Sequence, residues 1–324
     1  MEDRFGRSIS YVRVSVTDRC DFRCGYCMAE EMVFLPRAEI LTLEESERLC
    51  AVFVGLGVRK LRFTGGEPLV RSGVTGLMAR VGAANFGRGL AELTLTTNGA
   101  RLARFAGELV EAGVKRVNVS LDTLRPERFA AITRTGRLSD VLGGIEAARA
   151  AGLAVKINMV ALRGVNEDEI SPMLAWCGER GFDLSLIETM PLGEMVGREA
   201  SHLSLAAVKA RLARDWTLTP SHHATGGPSR YLEVEETGTR LGLITPLSEH
   251  FCAACNRVRL SAQGRLYLCL GHEESVDLRA PLRAGADDAE LGAMIGAALA
   301  AKPERHEFDI SRVAVARYMS ATGG

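Results

Sequence analysis

The chain has 324 residues, of which 25% are charged and 47% hydrophobic, and its basic and acidic residues balance at 40 each. That balance excludes a protein that coats nucleic acid through a general basic excess, and no apolar run is long enough to cross a bilayer. The length allows one large domain, or one with a smaller appendage. The start, Met1 to Arg7, is charged and lacks the apolar core of a signal peptide, so a cytoplasmic protein is expected.

Short runs rich in Val, Ile, Leu and Thr predict strands at residues 11–16, 60–64, 93–97, 116–121, 154–160 and 183–188. Helices are expected between them. One opens at Thr42, where Glu45 completes a capping-box pattern, and closes at Gly55 and Gly57. Others are expected over 101–112, 139–151 and 167–180. Such alternation predicts parallel strands, and a run of these units predicts a barrel or open partial barrel, with a doubly wound sheet as the alternative. After Pro191 the pattern changes. A helix is expected over 203–214, a loop over 222–229, and a hairpin from 231–235 and 240–245 joined by Glu236-Thr237-Gly238. A last helix is expected near 289–301. The division is therefore a barrel over 1–190 and a C-terminal region over 191–324.

Polar residues gather at the predicted strand ends. Thr64-Gly65-Gly66-Glu67-Pro68 follows the second, Thr96-Thr97-Asn98-Gly99 the third, and Ser120-Leu121-Asp122 the fourth. Lys156 and Asn158 lie in the fifth, and Glu188 and Met190 follow the sixth. Strand ends form the catalytic mouth of α/β barrels, although a single polar residue there can equally be a helix cap.

Eight cysteines occur, and in a cytosolic chain clustered cysteines read as metal ligands. Cys50 and Cys177 stand alone and are expected to be buried, inert thiols. Cys20, Cys24 and Cys27 form C-x3-C-x2-C, with Tyr26 before the last. No histidine or further cysteine lies nearby. Three thiolates suit a [4Fe-4S] cluster with one iron open, and a zinc site closed by a distant ligand is the alternative. Cys252, Cys255 and Cys269 form C-x2-C-x13-C, where His250 or His272 could complete a zinc site. Arg257 and Arg259 flank Val258; residues two apart point the same way from a strand, and guanidinium forks suit phosphate.

The first cysteine group, with Tyr26, resembles the signature of the radical S-adenosylmethionine (SAM) superfamily, and Gly65-Gly66-Glu67-Pro68 resembles its GGEP motif. The likeness extends to Phe5-Gly6-Arg7, the stretch from Tyr11 to Cys20, Thr96-Thr97-Asn98-Gly99, Asn118 to Asp122, Lys156-Ile157-Asn158, the second cysteine group and the tail Gly323-Gly324. With these, nearly the whole chain is similar to the GTP 3′,8-cyclase family of molybdenum cofactor biosynthesis. The resemblance implies an α/β fold: a partial (β/α)6 TIM-type barrel with a C-terminal α+β extension carrying a second cluster. It implies two [4Fe-4S] clusters and SAM as cofactors, and GTP as substrate. SAM would meet Tyr26, Gly66, Ser120 and Met190. GTP would meet Arg13, Lys60, Arg62, Thr96, Lys156, Arg257, Val258 and Arg259. Catalytic roles fall to Arg257, Arg259, Gly323 and Gly324.

In that family the first cluster cleaves SAM to a 5′-deoxyadenosyl radical, which takes hydrogen from the ribose C3′ of GTP. The second cluster's open iron binds guanine, and the C3′ radical attacks C8. The resemblance also implies an external electron donor, a downstream cyclic pyranopterin monophosphate synthase that receives the product, a homodimer, and neither nucleic acid nor membrane as partner. One departure is Ser185, where family members often carry arginine. The rival readings are a peptide-modifying radical SAM maturase and a non-catalytic iron–sulfur electron-transfer protein.

Overall fold

Six strands succeed one another through helices: β1 (Tyr11–Ser15), β2 (Lys60–Thr64), β3 (Glu92–Thr97), β4 (Arg116–Ser120), β5 (Ala154–Ala161) and β6 (Asp183–Glu188). The computed structural model describes residues 1–193, 198–311, 313 and 315–323. β1 to β6 lie side by side in chain order and all run parallel. A doubly wound sheet requires the strand order to reverse, and here it does not. Right-handed crossovers that always step the same way keep the helices on one side, so the sheet curls into a partial TIM-type barrel. Every residue of β2 is buried, as expected of a strand covered on both faces.

The helices are α1 (Leu43–Gly55), α2 (Val74–Asn85), α3 (Leu102–Glu111), α4 (Pro126–Thr133), α5 (Leu138–Ala150) and α6 (Ile170–Glu179). The capping box of α1 forms as its sequence predicts: Glu45 N donates to Thr42 Oγ1 at 3.1 Å, and Thr42 N donates to Glu45 Oε2 at 2.7 Å. α2 and α4 escaped the sequence reading. α2 starts from a left-handed Gly73 with no side-chain cap, and α4 is only 8 residues long. Cys50 and Cys177 are fully buried behind the sheet, as expected of inert thiols.

The later strands are β7 (Leu218–Pro220), β8 (Arg230–Val234), β9 (Thr239–Ile244), β10 (Arg257–Leu260), β11 (Arg265–Tyr267) and β12 (Ser275–Asp277). The expected hairpin is β8 with β9. Pairing beyond that was not legible in the sequence. β9 also pairs parallel with β6, and β10 pairs parallel with β1, so the C-terminal strands extend both edges of one 12-stranded sheet. Among the described residues, no helix is long and apolar enough to cross a membrane.

Glu188 shows how the later segments are tied to the barrel. Its fully buried carboxylate accepts from Leu205 N at 3.3 Å, Leu247 N at 3.0 Å, Ser248 N at 3.2 Å and Ser248 Oγ at 2.5 Å. With its oxygens so engaged, Glu188 is a clamp between β6 and the segment after β9. Glu188→Gln puts a donor where an acceptor is needed, and is expected to cost about 2–3 kcal/mol of stability. A urea midpoint equal to wild type would remove Glu188 as a clamp.

Candidate active site

The loop after β1 carries the first three cysteines and rests on the loop after β2. Gly66 N donates to Thr17 O, and Glu67 N donates to Arg19 O, both at 2.8 Å. A Cβ on Gly65 would come within 2.4 Å of Thr17 O, and one on Gly66 within 2.4 Å of Arg19 O. Only glycine lets the two backbones lie this close. Glu67 then binds Leu69 N at 2.9 Å, Thr97 Oγ1 at 2.8 Å and Asn98 N at 2.6 Å, joining the ends of β2 and β3. Burial pushes Glu67 up to about 7 against the pull of these donors. Tyr26 donates its hydroxyl to Asp122 Oδ2 at 2.6 Å, and Asp122 Oδ1 accepts from Val160 N at 2.8 Å. The aromatic of the cysteine motif thereby anchors the loop to the ends of β4 and β5.

Cys20, Cys24 and Cys27 line a cavity together with Gly66, Thr96, Ser120, Asn158 and Met190. None of the three is in a disulfide. Burial pushes Cys20 and Cys27 up to about 12 and Cys24 well above its ordinary range, so these thiols keep their protons until a metal displaces them. Among the described residues, neither a histidine nor a fourth cysteine lines this cavity. No three His, Cys, Asp or Glu side chains among them converge as a single-ion site requires. A four-iron cluster takes its thiolates from a wider triangle, and this donor set fits one with an open iron.

A second cavity is lined in part by residues of the barrel strands. Strand register sets Arg13 of β1 between Arg62 of β2 and Arg259 of β10, and sets Tyr11 between Lys60 and Arg257. Residues 11 and 13 share a face, so the two rows stack. Arg13, Arg62, Lys156, Arg257 and Arg259 line this cavity with Cys252, Cys255 and Cys269. No aspartate or glutamate is among its described lining residues. Like charges opposed across strands destabilise a sheet, so the arrangement suits a polyanion. Burial lowers Lys156 to about 7, aided by Arg62 and Arg116, and lowers Arg13 to about 10, aided by Arg62 and Arg257. Burial alone would raise Tyr11, yet Arg62, Arg13, Lys60 and Arg257 together bring it down to about 8.

Several groups that hold this cavity carried little signal in the sequence. Arg7 is buried, paired with Asp3 at 2.6 Å, and donates to Cys252 O at 3.0 Å, Glu304 O at 2.6 Å and Pro303 O at 2.7 Å. Lys302, 1% exposed, donates to Arg257 O at 3.0 Å and to Leu268 O. Burial raises Cys255, but Arg257, Lys302 and Arg7 outweigh it and leave the thiol below its ordinary value; burial leaves Cys269 raised. His250 and His272 do not line the cavity, and His272 Nε2 sits 3.0 Å from Arg305 O. Among the described residues, the histidine that lines it is His306.

Other expected site residues fall in distinct places. Lys60 Nζ donates to Thr225 O at 2.6 Å and pairs with Glu92 at 2.5 Å, beside the second cavity rather than in its lining. Thr96 lines the first cavity, and buried Val258 lines the second. Ser185 Oγ lies 3.2 Å from Ser229 Oγ, and Ser229 lines the second cavity. Arg259 Nη1 donates to Gly323 O at 2.5 Å and Thr322 O at 3.4 Å. A Cβ on Gly323 would strike Thr64 Cγ2 at 2.2 Å, so the tail is threaded against β2. Gly324 lies outside the described residues. Asn158, Ile187, Met190 and Met319 line both cavities, which therefore adjoin.

The parallel partial barrel and the three-cysteine mouth define a class: the chain belongs to the radical SAM superfamily, whose pattern matches residues 14–177. Residues 182–308 match Molybdenum Cofactor Synthesis C. Within that class it belongs to the GTP 3′,8-cyclase family. The GTP 3′,8-cyclase of Paracoccus denitrificans is 59% identical over 328 residues, covering 99% of this chain and 95% of the relative. That of Caulobacter vibrioides is 58% identical over 325 residues, covering 99% and 93%. Streptococcus suis SuiB, solved with S-adenosylmethionine, superposes with a TM-score of 0.61 at 15% identity over 88% of this chain. This chain spans 65% of SuiB, and at that identity the likeness speaks for the fold alone.

Proposed function

We propose that this chain is a radical SAM GTP 3′,8-cyclase acting at the start of molybdenum cofactor biosynthesis. The observation that carries this reading is the junction of two cysteine-lined cavities, one walled by glycine backbone and small polar groups, the other by buried cations. Cys20, Cys24 and Cys27 would hold the first cluster, and Cys252, Cys255 and Cys269 the second. When bound, the first cluster with SAM supplies a hydrogen-abstracting 5′-deoxyadenosyl radical.

The chain's own residues do the rest. Gly66, Ser120 and Met190 wall the SAM side, while Tyr26 braces the cysteine loop through Asp122. Arg13, Arg62, Arg257, Arg259 and Lys156 neutralise the triphosphate. A polyanion also returns the proton that burial loosens on Lys156. These contacts orient the ribose toward the wall shared by both cavities, where C3′ can face the radical source. Burial of the cations keeps water from the site and strengthens each contact. Gly323 is held beside the cavity by Arg259, which lines it.

An external one-electron donor, a downstream cyclic pyranopterin monophosphate synthase, a cytoplasmic location and a homodimer complete the proposal. Lys60 would act through the Thr225 loop. The maturase reading loses ground because anion-free walls of arginine suit a triphosphate better than a peptide. The test is anaerobic turnover of the reconstituted protein with SAM, GTP and a reductant. The expected products are 5′-deoxyadenosine and a 3′,8-cyclised GTP. SAM cleavage with GTP left intact would overturn the assignment.

A further inference from the structure

His306 follows the helix Asp288–Ala300 and enters the wall of the second cavity. It is 6% exposed. Its Nδ1 lies 3.3 Å from Phe308 N, which donates to it. A backbone N–H can only donate, so Nδ1 carries no proton and the neutral ring bears its proton on Nε2. Nε2 is buried and has no hydrogen-bond partner among the described residues. A buried donor without a partner is costly, and a ligand acceptor would satisfy it.

The surroundings set the ring firmly. Phe308 lies 4.4 Å away between centroids, His250 5.1 Å and Phe251 6.4 Å. A Cβ at residue 271 would come 2.7 Å from His306 Cβ, so Gly271 lets His306 lie beside the segment after β11 that carries Cys269. An aromatic wall beside a row of phosphate-binding cations is what a purine nucleotide needs. The purines differ at position 6: guanine presents an oxo acceptor, adenine an amino donor. A fixed N–H donor complements the first and confronts the second with a like partner.

Resting on the reading that GTP fills the second cavity, we infer that His306 is a specificity-determining residue, selecting guanine by donating from Nε2 to its 6-oxo group. The proposal is tested by equilibrium binding to anaerobically reconstituted full-length protein without SAM. The probes are GTP and 2-aminopurine riboside triphosphate, which carries hydrogen in place of the 6-oxo group. Wild type is expected to prefer GTP by about tenfold or more, and His306→Ala to lose about tenfold in GTP affinity with the analogue unchanged. His306→Gln, which retains an N–H donor, should restore part of the preference. Equal losses for both nucleotides in His306→Ala would overturn the proposal. So would the loss of about four irons in that variant, which would make the ring a cluster ligand. Wild-type protein that binds neither nucleotide would bring down the GTP reading itself, and this proposal with it.

Discussion

Cys24→Ala is expected to abolish 5′-deoxyadenosine formation, whereas Cys269→Ala should keep SAM cleavage and lose GTP conversion. The reasoning follows from the separation of the two trios. Cys24 lines the cavity of Gly66, Ser120 and Met190, and Cys269 lines the cavity of the arginines. Each thiol supplies one of three ligands, so its loss should empty its own site. Cys50 and Cys177, buried elsewhere, cannot substitute. Anaerobically reconstituted wild type should hold about eight irons, and each variant about four. Iron analysis and product chromatography read both effects. Intact SAM cleavage in Cys24→Ala, or failure of SAM cleavage in both variants alike, would refute the division of labour.

The second large effect concerns Arg259. Burial, then Arg13 and Arg257, hold this guanidinium well below its ordinary basicity. Its neighbour across the strand pair is Arg13, which in turn faces Arg62. Without a polyanion such a row is unfavourable, because buried like charges repel in a medium of low dielectric. Arg259→Ala should therefore weaken GTP binding by about 3 kcal/mol, more than a hundredfold, without lowering the unfolding temperature of the nucleotide-free protein. Calorimetric titration with GTP and thermal unfolding decide the matter. Unchanged affinity would place the row away from the substrate. A large fall in unfolding temperature would instead make Arg259 chiefly an anchor for Gly323, whose carbonyl it binds.

The parts legible in the sequence share one property: they depend on short spans. The spacing of Cys20, Cys24 and Cys27 restricts which thiols can share a centre. Thr42 and Glu45 cap α1 because the contact spans three residues. The strands β1 to β6 were readable because Val, Leu, Ile and Phe alternate along them with polar residues, the two-residue period of a strand. GGEP was recognisable as a motif, yet its physical reason was not. Gly65 and Gly66 are required by carbonyls of Thr17 and Arg19, about fifty residues earlier in the chain.

Other parts depended on chain separation. His306 was overlooked in favour of His250 and His272 because those stand closer to the cysteines along the chain. Lys302 stands in no motif, yet it binds the carbonyls of Arg257 and Leu268, 45 and 34 residues away along the chain. Thr96 and Lys60 belonged with the GTP contacts by motif position, and the structure sets one in the first cavity and the other beside the second.

Local chemistry was thus written in the sequence by itself: two thiol trios, a βα rhythm, a glycine turn and arginines in alternation. Tertiary structure alone decided that β10 pairs with β1 and β9 with β6. That choice sets the second trio and the barrel cations around one cavity, aligns Arg259 with Arg13 and Arg62, and makes the two cavities meet at Met190 and Asn158. The physical reason is that strand pairing is made by backbone hydrogen bonds, which are nearly the same for every residue. Partner and register are therefore chosen by global packing, and no local pattern of side chains announces them.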